Sequence, residues 1–108
     1  MKIEYLKSAR LDVFEIRSNL SRFYPSTPVK FLKALKKSIE TLDDNPLLYP
    51  VYEFNQAYHK MPVLDYLVFY KVFEERQTIE IHRVLYGKRN IKEILESSEI
   101  VPDGVFKE

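Results

Sequence analysis

Apolar spacing divides the chain into a helical first half and an extended second half. Lys2-Ile3-Glu4-Tyr5-Leu6 alternates briefly and predicts a short opening strand. Leu6, Ala9, Val13, Ile16 and Leu20 then recur at helical spacing and form one apolar stripe. Ser8 is placed to cap this helix, Asp12 lies toward the positive end of its dipole, and Pro25 forces it to stop. A second helix opens at Thr27, a capping residue, with Pro28 at the first helical position. Its apolar face is Phe31 or Leu32, Leu35, Ile39 and Leu42, and Lys30, Lys33, Lys36 and Lys37 form much of the opposite face. Asp43-Asp44-Asn45-Pro46 ends it. The short connection between the two helices predicts an antiparallel hairpin.

Residues 47–56 carry two prolines and no period, which predicts a loop. Three runs rich in Tyr, Phe, Val and Ile follow, at 57–63, 66–73 and 78–86, separated by turn-like breaks at 64–65 and 74–77. The middle run is apolar on both faces except at Lys71, as suits a central strand. In the last run the alternation places Ile79, Ile81 and Leu85 on one face and Glu80 and His82 on the other. Gly87 ends it, and Asn90 can cap a short helix holding Ile91, Ile94 and Leu95. The order is β-α-α-β-β-β(-α), an α+β fold with a helical hairpin packed on a small, mainly antiparallel sheet. One domain is expected over 1–98, followed by a loosely held tail over 99–108.

Composition narrows the chemistry. At 108 residues there is room for one core. The net charge is +1 and the pI is 7.9, below the range of about 9 and above usual for strongly basic nucleic-acid binders. There is no Cys, so thiolate nucleophiles, disulfides and Cys-bound metals are excluded. With two glycines, Gly87 and Gly104, no glycine-rich phosphate loop can form, and two histidines are too few for a His-rich metal centre. No apolar run approaches the roughly 20 residues of a membrane span, and the N-terminus lacks the apolar stretch of a secretory signal. The expectation is a cytoplasmic protein without cofactor, metal or membrane partner.

His59 and His82 are the candidate general bases, but no nucleophile elbow accompanies them, and both read equally as polar strand residues. Asp43-Asp44 and Glu74-Glu75 sit where turns place acids. The cations Lys60, Lys71 and Arg83 lie on successive strands, and Lys88 and Arg89 follow Gly87. Strand pairing could gather them to hold phosphates, or leave them as a solvated rim paired with Glu80 or Glu74. Tyr66, Phe69, Tyr70 and Phe73 suit a core and its edges better than a base-stacking platform.

Three stretches carry a resemblance: Asn-Pro-Leu-Leu-Tyr-Pro-Val-Tyr at 45–52, Tyr58 through Val72, and Ile79 through Ile91, which contains Arg83-Val84-Leu85-Tyr86-Gly87-Lys88-Arg89-Asn90. In this order after a helical hairpin, they resemble the RelE/ParE superfamily, the toxins of type II toxin–antitoxin modules. The resemblance spans residues 1 to about 96. It implies growth inhibition by the free toxin and silencing by a cognate antitoxin, with oligomers possible through that antitoxin. RelE-like members cleave mRNA on the ribosome without a metal, and ParE-like members poison DNA gyrase. Carried onto this chain, the nuclease residues are Lys60 and Arg89, with His59, His82 and Arg83 as weaker candidates. Arg83, Lys88, Arg89 and Asn90 would form a target-binding segment. Leu67 stands where RelE-like nucleases have a central-strand arginine, and Leu95 stands where some have a tyrosine. With the near-neutral charge and long hairpin, this favours the ParE-like branch. The alternatives are an mRNA interferase and a non-toxic binding module of the same fold.

Overall fold

The structure, a computed structural model, describes residues 1–23 and 26–100. The elements run β1 (Lys2–Tyr5), α1 (Lys7–Phe23), α2 (Thr27–Asp44), β2 (Val51–Tyr52), β3 (Asn55–Val63), β4 (Tyr66–Phe73), β5 (Thr78–Tyr86) and α3 (Ile91–Ile100). The α+β class, helix pair and mainly antiparallel sheet are as the sequence predicts. Three boundaries differ. The stretch at 47–56 is not all loop: β2 forms within it, and β3 begins at Asn55. Ser26 precedes α2 with no side-chain cap, so Thr27 begins the helix instead of capping it. Residues 99 and 100 continue α3, and the rest of the expected tail, 101–108, lies outside the described residues, as do Tyr24 and Pro25.

The sheet has five strands in the order β1-β5-β4-β3-β2. The first strand lies parallel to the last, pairing Ile3 with Ile79 and Tyr5 with Ile81, and the other neighbours are antiparallel. The apolar stripes of α1 and α2 bury one sheet face. Ala9, Ile16, Phe31, Leu35, Ile39 and Leu42 meet Met61, Val63, Val68, Tyr70, Ile79, Ile81 and Val84 there. Opposite strand residues form a second core with α3, in which Ile91 and Leu95 cover Phe69, Leu85, Tyr52 and Tyr58. Two-sided burial is why β4 reads as a nearly continuous apolar run.

A bulge corrects the face assignment of β5. Phe69 pairs with Arg83 but Tyr70 pairs with Ile81, so His82 is one residue too many. Strict alternation therefore fails: Val84 joins Ile79 and Ile81 on the hairpin side, and Leu85 turns to the α3 side. At the far end, Gly87 serves a close approach. A Cβ there would lie 3.3 Å from the Asp65 carbonyl, which accepts the Gly87 amide at 2.9 Å.

Candidate functional site

The cations of the sheet are each engaged by a partner of their own. Met61 and Val63 face the hairpin, so Lys60 faces the α3 side. There its ammonium lies 3.3 Å from Glu53 and 5.4 Å from the centre of the Tyr52 ring. Lys71 shares this face and sits 4.8 Å over the Tyr58 ring. Arg76 lies over Phe73 and reaches Glu80 at 3.5 Å. The Glu53 carboxyl is held below its ordinary pKa by a backbone hydrogen bond first, then by the bond from Lys60. These are cations seated on aromatic faces, with Glu53 rather than Glu80 or Glu74 as the acid beside Lys60.

The two histidines are also engaged, on opposite faces. His59 Nδ1 lies 2.8 Å from the Tyr49 carbonyl, and its ring stacks on Tyr70 at 5.1 Å. His82 Nε2 contacts Glu80 at 3.0 Å, and its ring meets the edge of Tyr58.

Arg83 belongs to a clamp. Its Nε and Nη2 donate to the two carboxylate oxygens of Asp12 at 2.7 and 2.8 Å, and the Val84 amide donates to Asp12 Oδ2 at 2.9 Å. Asp12 thus does more than sit near a helix dipole. β1 stops at Tyr5, so the second half of β5 would present an open edge. The start of α1 completes it: the Leu6 amide donates to Ile81, the Ser8 hydroxyl to the His82 carbonyl, and Asp12 takes the Val84 amide. Ser8 therefore lies inside the helix and does not cap it. A sequence signal existed for Asp12. It falls three residues after Ala9 and four before Ile16, within the buried stripe, where a charge requires a partner.

Lys88, Arg89 and Asn90 are exposed beyond β5. Arg89 lines a cleft of about 270 Å³ with Asp12, Glu15, Ile16 and Asn19 of α1 and with Tyr66, Val84 and Tyr86 of the sheet. Tyr66 packs against Phe31 and Tyr86 at 5.0 and 5.8 Å. Its hydroxyl pKa is raised, first by burial and then by the Asp65 carboxylate. The sequence singles out Arg89 as a candidate but not the α1 wall beside it, because helix-to-strand proximity leaves no mark in either pattern. Lys60 and Arg89 are not brought together: one lies on the α3 face, the other beside α1.

A larger groove of about 810 Å³ lies between α1 and α2, lined by Tyr5, Arg10, Val13, Phe14, Arg17, Leu32, Leu35 and Lys36. Its floor is apolar and its charged residues are all cations. Phe14 is 64% exposed, an unusual position for a phenylalanine whose own helix buries Ala9 and Ile16. Among the described residues no cluster of acidic or histidine side chains could hold a metal, and no helix is long and apolar enough to cross a membrane.

Comparison with known proteins agrees with this architecture. A family model described as the ParE toxin of the type II toxin-antitoxin system, parDE, matches residues 3–91. No curated protein matches the sequence. A chain of the chromosomal ParDE TA system from P. aeruginosa superposes with a TM-score of 0.68 at 13% identity, covering 80% of this chain and 95% of that one. The isolated E. coli RelE toxin superposes with a TM-score of 0.57, also at 13% identity, covering 93% of this chain and 98% of that one.

Proposed function

Because the chain belongs to the ParE toxin family of type II toxin–antitoxin systems, we propose that it arrests growth when free by poisoning DNA gyrase, and that a cognate antitoxin neutralises it in the cytoplasm. The observation that supports this reading over the nuclease one is the engagement of the candidate cations by other partners. A metal-free nuclease needs several cations around one scissile phosphate, because the developing charge must be met by preorganised donors. Here Lys60 is paired with Glu53, Arg83 is consumed by Asp12, and Arg89 lies beside α1. The two further positions that some nucleases use are apolar: Leu67 packs against the second core and Leu95 is buried in it.

The exposed segment Lys88-Arg89-Asn90 is the target-binding surface in this reading, with Arg83 fixing the strand that carries it. The α1–α2 groove takes the antitoxin. An apolar floor between Arg10, Arg17 and Lys36 suits an amphipathic helix whose flanks are acidic. Expression of the chain alone tests the target. Covalent gyrase–DNA complexes with intact transcripts are expected. Transcripts truncated at codons, with no trapped DNA, would instead establish the nuclease, and unaffected growth would establish a non-toxic binding module.

A further inference from the structure

The cleft beside Arg89 carries chemistry that neither core packing nor a simple anion site explains. Its floor is Ile16 and Val84, its aromatic residues are Tyr66 and Tyr86, and its rim holds a carboxylate, an amide and a guanidinium from Glu15, Asn19 and Arg89. Asp12 is saturated by Arg83 and Val84 and adds no free charge. Arg89 and Lys88 are exposed and make no ion pair with the described residues. A plain anion would meet Glu15, and a plain cation would meet Arg89. With Tyr66 and Tyr86 in the lining as well, the ligand that suits the cleft has a flat ring, N–H donors at one end and an anionic group at the other.

We propose that this cleft binds a single guanine nucleotide unit, with the base against Tyr86, its donor edge on Glu15 and its phosphate on Arg89. Guanine presents two adjacent donors, N1–H and N2–H, which one carboxylate accepts as a bidentate pair. No other common base offers two adjacent donors. Asn19 supplies an amide that both donates and accepts beside that edge. Stacking on an aromatic ring is tolerant of base identity, so the carboxylate sets the preference and the ring supplies affinity. The same chemistry is met by a free guanine nucleotide or by an unpaired guanine in a strand.

Titration calorimetry of the purified full-length chain with GMP, AMP, CMP and UMP tests this. GMP is expected to bind about tenfold tighter than the others, and Glu15→Gln to erase that preference. Tyr86→Ala should weaken all four nucleotides about tenfold. Arg89→Ala should weaken GMP but leave guanosine unchanged. All three side chains are exposed, and circular dichroism confirms that the variants fold. A single-stranded oligothymidylate with one central guanine, compared with one lacking it, separates the sources. Preference for the guanine strand assigns the site to a strand, and GMP binding without that preference assigns it to the free nucleotide. Absence of nucleotide binding, equal binding of all four, or GMP affinity unchanged in both Glu15→Gln and Tyr86→Ala overturns the proposal. The titration needs neither gyrase nor antitoxin, so its failure leaves the toxin reading intact, and the failure of gyrase trapping leaves the cleft intact.

Discussion

Replacing Asp12 by alanine should be among the most damaging single changes outside the apolar core. The Asp12 carboxylate is 7% exposed, accepts two guanidinium bonds and one backbone amide, and faces an Arg83 side chain that is 17% exposed. Its loss strands a nearly buried cation and orphans the Val84 amide. Breaking a buried ion pair from one side costs about 3–5 kcal/mol, and an unsatisfied buried amide adds about 1–3 kcal/mol. The guanidinium can turn partly toward water, so the sum falls near 4 kcal/mol rather than at the upper limit. With a urea slope of about 1.5 kcal/mol per molar, the unfolding midpoint should drop by about 2–3 M. Arg83→Met should cost a similar amount. The double variant Asp12→Ala/Arg83→Met should recover much of the loss, because neither charge is left alone. A coupling energy of at least about 2 kcal/mol is expected from the double-mutant cycle. An Asp12→Ala loss under about 1 kcal/mol, or strict additivity of the two changes, would refute the clamp as a determinant of the fold.

Three further outcomes are expected. The Tyr70 phenol, fully buried, has its pKa pushed up to about 12 by desolvation, above the ordinary value near 10. Its contribution is complete below pH 10 and is lost as pH climbs through 12, so ultraviolet titration should show a late component that loses one tyrosine in Tyr70→Phe. Phe69→Ala removes a ring enclosed by Tyr52 and Tyr58 in the second core, and should cost about 3–5 kcal/mol by urea denaturation. Arg17→Glu with Lys36→Glu reverses the charge at the hairpin groove and should weaken antitoxin binding at least tenfold by calorimetry. The same pair should leave growth arrest by the free toxin unchanged; equal antitoxin affinity would remove the groove from the neutralising interface.

Local patterns settled most elements. Stripes at helical spacing gave α1 and α2, and the β4 and β5 bounds at 66–73 and 78–86 follow from apolar runs ended by turn residues. Each turn contains a residue in the left-handed region, Leu64 at φ 55° opening the first and Gln77 at φ 50° closing the second, where no glycine advertises it. The candidate site was legible only as single residues. Lys60, Arg83, Lys88 and Arg89 could be read as cations, but the partners of Lys60 and Arg83, Glu53 and Asp12, lie 7 and 71 residues away in sequence.

Sequence alone determined what depends on neighbours along the chain: helix faces, strand lengths, turn positions, and the absence of thiol or phosphate-loop chemistry. Only the tertiary structure decided the rest. It set β1 parallel beside β5, inserted the bulge at His82 that redirects Val84 and Leu85, and used the start of α1 to finish the β5 edge. These features arise from backbone groups that must be satisfied wherever the chain brings them. A pattern of side chains records which face is buried, but not which distant element supplies the missing hydrogen bond.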